Sequence, residues 1–137
     1  MALSNLVAEE FNRLDDFENL KITKYQKVLK GKKQEVLNYI RANFKEDLQG
    51  YFINLFHDTE NNALNIDTIN ISENIQGRGY GRKIVEAIER VAFKLNCLSI
   101  LVPCPLERAF GFWEHMGYIK KKGFDITYKK PIQSNNL

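Results

Sequence analysis

The chain has 137 residues, 44% hydrophobic and 27% charged, with a formal net charge of +3. That length and balance suit one domain with one sizeable core and the composition of an ordinary soluble protein. No apolar run is long enough to span a bilayer, Cys97 and Cys104 make no disulfide framework, and His57 and His115 stand alone without zinc spacing. The first residues carry no basic region followed by an apolar one, and the two cysteines read as free thiols of a reducing compartment, so a cytoplasmic protein is expected.

Charge is uneven along the chain. Glu9, Glu10, Asp15, Asp16 and Glu18 are followed by Lys21, Lys24, Lys27, Lys30, Lys32 and Lys33, and a second basic run holds Lys120–Lys122, Lys129 and Lys130. Such patches attract nucleic acid or cofactor phosphates, or they are solvated faces; no aromatic-interleaved nucleic-acid motif accompanies them.

Leu3, Val7, Phe11 and Leu14 predict a helix over residues 3–17. Residues 20–29 read as a basic edge strand, and Gly31 breaks the chain. Val36, Leu37, Ile40 and Phe44 at helical spacing predict a helix over residues 32–44. Residues 51–57 are aromatic and β-branched, a strand; residues 58–62 are a polar turn; residues 63–72 are the second strand of a hairpin.

That second strand changes phase. Leu64 and Ile66 fall on one parity, Ile69 and Ile71 on the other. A β-bulge near residues 67–70 gives this pattern, and so does a strand buried on both faces. A bulge would turn backbone N–H and C=O groups out of the ladder, just upstream of the next feature.

Residues 76–81 read Gln-Gly-Arg-Gly-Tyr-Gly and lead into an amphipathic helix over residues 82–96, with Ile84, Ile88, Val91 and Leu95 on one face. Gly77, Gly79 and Gly81 let a ligand approach the backbone. Free N–H groups and the helix dipole favour an anion there, and Arg78, Arg82 and Lys83 add positive charge. The physical reading is a pyrophosphate cradle; the bland one is a glycine turn capping a surface helix. No Gly-Lys-Ser/Thr ends the loop, and the spacing of a dinucleotide fingerprint fails at Arg82 and Ile84.

Residues 98–102 form a short buried strand ending at Pro103-Cys104-Pro105. Residues 106–116 read as a short helix with Ala109, Phe112, Trp113 and Met116 on one side, and Gly117 as its C-cap. A hairpin through a turn at Gly123 closes the chain, and residues 133–137 read as a frayed tail.

Two stretches carry a family resemblance. Gln76, Gly79 and Gly81 fit Q/R-x-x-G-x-G/A, and residues 109–118 read Ala-Phe-Gly-Phe-Trp-Glu-His-Met-Gly-Tyr, a short aromatic-rich helix closed by Gly-Tyr. Together they resemble the acyl-coenzyme A loop and the closing signature of the GNAT superfamily of N-acetyltransferases. The resemblance covers residues 64–132; the first half shows no motif. It implies a single α/β domain over residues 1–132, with a mixed, mostly antiparallel sheet splayed at the cofactor site and flanked by helices. Acetyl-coenzyme A would enter between the bulged strand and the strand at residues 98–102. Backbone groups of Ile69, Asn70 and Ile71 would bind its pantetheine. The loop Gln76, Gly77, Arg78, Gly79, Tyr80, Gly81 and Arg82 would hold its pyrophosphate, and Phe112 and Trp113 would line the site.

The same resemblance implies direct attack of a primary amine on the thioester, with Asp67 as the base, acting directly or through water. Trp113 stands where the family usually has a tyrosine acid, and indole offers no proton at neutral pH. An acyl-cysteine route through Cys104 competes with a buried, inert thiol. The partners expected are a small-molecule or protein amine, with no membrane and with nucleic acid disfavoured, and the chain a monomer or homodimer. An acyl-coenzyme A-binding or protein-interaction module on the same fold is the alternative to an enzyme, and a nucleic-acid-binding protein is the third class.

Overall fold

The computed structural model describes residues 2–14, 21–29, 35–43, 52–70, 80–123 and 125–132. One seven-stranded sheet organises them, in the order β1-β2-β3-β4-β5-β7-β6. Its strands are β1 (Lys21–Leu29), β2 (Glu35–Asn43), β3 (Phe52–Asp58), β4 (Ala63–Asn70), β5 (Ser99–Pro103), β6 (Ile119–Lys122) and β7 (Ile126–Pro131). The helices are α1 (Leu3–Asn12), α2 (Tyr80–Lys94) and α3 (Phe110–His115), the last preceded by one 3-10 turn, Glu107–Ala109. Every described pairing is antiparallel except β4 with β5, which the α2 crossover makes parallel.

Alternation along the strands puts Ile53, Leu55, Leu64, Ile66, Ile100 and Val102 on one face. There they form a core with Leu6, Val7 and Phe11 of α1 and Ile84, Ile88 and Val91 of α2. Each of these large side chains contributes about 1.5–3 kcal/mol by leaving water. The two helices are also joined by charge. Glu10, fully buried on α1, meets Arg90 Nε at 2.8 Å and Lys94 Nζ at 2.6 Å on α2. Burial alone would raise the Glu10 carboxyl, but hydrogen bonds from Lys94 and Arg90 hold it below its usual value.

Of the helix expected over residues 32–44, residues 35–43 are instead strand β2; residues 32–34 and 44 lie outside the described residues. The apolar spacing of β2 also fits short strand runs, and the strand pairs with β1 along its whole length and with β3 over residues 39–43. Tyr39 stacks on Tyr25 at 5.4 Å and on Phe56 at 5.2 Å between ring centroids. Pairing on both sides, with β-forming Val36, Tyr39 and Ile40, overrides a weak helical preference. The expected 3–17 helix ends at Asn12, with Arg13 and Leu14 in the closing turn; residues 15–17 lie outside the described residues.

Local chemistry fixes the turns. Asp58 Oδ1 accepts from the Asn61 N–H at 3.1 Å and Oδ2 from Asn61 Nδ2 at 2.7 Å, closing the β3–β4 hairpin. Gly117, at φ +90°, ends α3: its N–H reaches Glu114 O at 3.1 Å and the Tyr118 N–H reaches Trp113 O at 3.0 Å. The C-cap read from the sequence is there.

Candidate active site

The β4–β5 ladder stops early. Ala63, Leu64 and Asn65 pair with Ser99, Ile100 and Leu101, and the described pairing ends there. Yet β4 runs on to Asn70 against β3, and β5 runs on to Pro103 against β7. Two neighbouring parallel strands therefore part company, each held by its outer partner. The inner edge of β4 beyond Asn65 has no described ladder partner, so its polar backbone groups face a wedge.

A bulge sits on that edge. Leu55 pairs with Ile66 and Asn54 with Thr68, leaving Asp67 as an extra residue on β4. The phase change in the sequence comes from this residue. Ile66 and Ile69 both turn towards the core, opposite Leu55 and Ile53, and Thr68 shares the face of Asn54. Asp67, the inserted residue between Ile66 and Thr68, is half-buried.

The other wall is prepared by α2. Tyr80 and Gly81 open the helix, and its first turn holds Arg82 and Lys83 and no acidic residue. Acids are the residues that a helix N-terminus favours, and cations there oppose the dipole. An anion at this end would relieve that opposition. Arg82 is largely exposed, with Nε 2.9 Å from Glu86 Oε1.

Of the expected site residues, Ile71, Gln76, Gly77, Arg78 and Gly79 lie outside the described residues. Asp67, Ile69 and Asn70 lie together on β4 at the wedge, and Tyr80, Gly81 and Arg82 form the first turn of α2. Because Ile69 turns its side chain to the core, its backbone is what it offers to a ligand. Phe112 is half-buried on α3, its ring 5.1 Å from that of Trp113 at 74°. Trp113 is only 1% exposed and also meets Tyr118 edge-on at 5.1 Å, so its indole is packed as a core residue.

Two tyrosine hydroxyls near α3 are engaged. Tyr118 donates to Glu89 Oε2 at 3.0 Å, an oxygen that Lys130 Nζ also reaches at 3.0 Å. Burial and then the Glu89 charge push the Tyr118 phenol up. Tyr128 donates to Glu114 Oε1 at 3.2 Å, and burial followed by that bond raises it too. Cys97 is buried, its thiol pushed up to about 11 by burial, whereas Cys104 is exposed at the end of β5 with φ +46°. A groove of ≈ 650 Å³ bordered by Glu10, Glu89, Arg90, Lys94 and Lys130 carries charges already paired across it. No group of acids, histidines and cysteines suited to a metal occurs among the described residues, and no described helix is long and apolar enough to cross a membrane.

Two residues that the sequence reading passed over lie beside the bulge. The side-chain oxygens of Asn54 and Asn65 are out of contact with water and accept no hydrogen bond from any described residue. Asparagine in mid-strand, where β-branched residues are the rule, was the available signal.

A family model described as Acetyltransferase (GNAT) family matches residues 3–118, taking in the first half where no motif was legible. No curated protein matches the sequence. Among solved structures, an aminoglycoside 6'-N-acetyltransferase complexed with coenzyme A superposes with a TM-score of 0.58 at 13% identity, over 72% of this chain and 76% of that one. A nourseothricin acetyltransferase gives 0.56 at 12%, over 91% and 94%. An acetyltransferase of the GNAT family from Staphylococcus aureus Mu50 gives 0.59 at 12%, over 71% and 69%. At these identities the likeness is one of fold.

Proposed function

As this chain belongs to the acetyltransferase (GNAT) family, we propose that it is an N-acetyltransferase moving the acetyl group of acetyl-coenzyme A to a primary amine. The observation that carries the reading is the wedge between β4 and β5 with Asp67 bulged at its mouth. Acetyl-coenzyme A supplies an activated thioester: the amine nitrogen bonds to the acetyl carbon, the carbon–sulfur bond breaks, and the sulfur leaves as coenzyme A thiol or thiolate. Everything else falls to this chain.

An extended pantetheine needs a strand edge without a neighbouring strand, and β4 beyond Asn65 has no ladder partner on its β5 side among the described residues. A pyrophosphate needs N–H groups and positive charge, and the first turn of α2 with Arg82 and Lys83 supplies both, next to the glycine stretch at residues 76–79. An ammonium is not a nucleophile, so Asp67 takes its proton, directly or through a water. A backbone N–H freed by the bulge donates to the oxygen that becomes negative as the amine attacks. With Trp113 buried, and the hydroxyls of Tyr118 and Tyr128 bonded to Glu89 and Glu114, the departing thiolate takes its proton from solvent. Residues 1–132 act as one domain in this reading, residues 133–137 as a tail, and the free cysteines suit the cytoplasm.

The test is acetyl-coenzyme A with a panel of primary amines, following thiol release and acetylated product by mass spectrometry. A specific feature favours a second reading, a non-catalytic acyl-coenzyme A-binding module: no titratable hydroxyl stands at position 113. Tight coenzyme A binding without transfer to any amine would decide for that module.

A further inference from the structure

The face of the sheet away from the core carries a row that crosses five strands at the level where the wedge begins. Tyr25, Tyr39, Phe56, Asn65 and Leu101 are successive register partners and so share that face. One step towards the wedge, Asn54 lies opposite Thr68, with Asp67 beside it on β4. Asn54 and Asn65 are diagonal neighbours, about 7–8 Å apart at the backbone. Their carboxamide oxygens are buried without a described donor, and such orphans each cost roughly 1–3 kcal/mol unless something satisfies them.

We propose that Asn54 and Asn65, with Asp67, form the binding site for the acceptor's ammonium group and select a protonated, unhindered primary amine. This inference rests on the acetyl-transfer reading and deepens it. An ammonium has three donors and no acceptor; two carboxamide oxygens and a carboxylate, carried on neighbouring positions of β3 and β4, supply three acceptors. Donation to a carboxamide holds the amine without neutralising it, so Asp67 alone decides when the proton leaves. Phe56, half-buried beside Asn54 on the same strand face, offers its ring to the methylenes or to the charge of the acceptor. Further along the ladder, Lys129 is the partner of Leu101 on β7. This cation opposes a second positive charge, so the acceptor carries one ammonium at this site and is not a polyamine.

The test titrates the coenzyme A-bound protein with pentylamine, 1-pentanol and 1,5-diaminopentane by calorimetry, alongside acetyl-transfer kinetics. Pentylamine should bind and pentanol should not, and the diamine should bind no tighter than pentylamine. Asn54→Leu and Asn65→Leu should each weaken pentylamine by about tenfold or more, as expected for a hydrogen bond to a charged group, with the same rise in amine KM and little change in acetyl-coenzyme A KM. Their melting temperatures should hold or rise, because an unsatisfied buried oxygen has gone. Asn65→Asp is a second variant that keeps the acceptor, and it should bind pentylamine at least as tightly as the wild type. Folded leucine variants with unchanged pentylamine affinity overturn the site, as do equal binding of pentanol and loss of binding in Asn65→Asp. A wild type that binds pentylamine through these residues yet releases no thiol with any amine keeps the site and sinks the acetyl-transfer reading.

Discussion

Deleting Asp67 separates the fold from the chemistry in one step. With that residue gone, the rungs Leu55↔Ile66 and Asn54↔Thr68 become consecutive, and Ile53↔Ile69 follows in regular alternation. Ile66 and Ile69 stay on the core face and Thr68 stays on the other, so no buried side chain changes environment. Stability should therefore remain within about 1 kcal/mol of the wild type, as for changes that touch no core contact. Catalysis should not survive. The deletion removes the proposed base, worth about 10²–10⁴ in rate, and straightens the backbone whose N–H is proposed to face the oxyanion, worth about 10²–10³. A fall in kcat/KM of at least 10³ is expected, about 4 kcal/mol of lost transition-state stabilisation. Asp67→Asn removes only the basicity and should fall by about 10², less than the deletion. The assays are thermal unfolding by circular dichroism and thiol release with a saturating amine. A deletion variant that melts like the wild type and keeps kcat/KM within about tenfold would refute the assignment of both roles to this bulge.

Other variants read other parts. Glu10→Gln should destabilise by about 1–3 kcal/mol in urea at neutral pH, below the usual cost of breaking a buried pair because Arg90 and Lys94 reach solvent. Since the Glu10 pKa is depressed, its contribution is present above the ordinary value of 4.5 and is lost as pH falls through the lower folded value, so the gap between the two proteins should close in acid. Gly79→Glu should raise the calorimetric Kd for coenzyme A by placing a carboxylate where the pyrophosphate is proposed to lie; an unchanged Kd in a folded variant removes the cradle from that loop. Iodoacetamide at pH 8 should label Cys104 and leave Cys97 untouched in the native protein, because Cys97 is buried with its thiol at about 11; peptide mass mapping reads this. Trp113→Tyr should melt earlier, because a 1%-exposed indole leaves unfilled volume, and should not raise turnover; a clear increase would show that thiolate protonation limits the rate.

What the sequence revealed, it revealed through local rules. The parity break between Ile66 and Ile69 located the bulge, because side chains alternate strictly along a strand and only an inserted residue moves the phase while keeping both inward. Gly117 was legible because an αL cap has few candidates. Residues 35–43 misled, since Val36, Leu37 and Ile40 satisfy a helical stripe as well as a strand, and what decided between them was partners distant in sequence. The burial of Trp113 was legible in the apolar side it shares with Ala109, Phe112 and Met116, whereas its edge-on contact with Tyr118 depends on how the chain leaves α3. Asn54 and Asn65 become meaningful only when the register brings them together.

The short parallel joint between β4 and β5 also bears on how the molecule comes together. On one side of it, β1 to β4 follow one another as antiparallel neighbours; on the other, β6 and β7 make a hairpin that β7 attaches to β5. Such neighbours close small loops within microseconds. Ser99, by contrast, follows its partner Ala63 by 36 positions, a closure that forfeits about 3 kcal/mol of chain entropy before any rung forms. The joint should therefore zip late, after each arm has its own shape, with the α1–α2 contact helping to bring the arms into register. A molecule lodged in the wedge touches both arms at once and acts as a splint across the last-formed seam. At a hundredfold excess over its Kd it would add about 2.7 kcal/mol against unfolding, and hydrogen exchange at residues 63–65 and 99–101 is where that splinting should be felt.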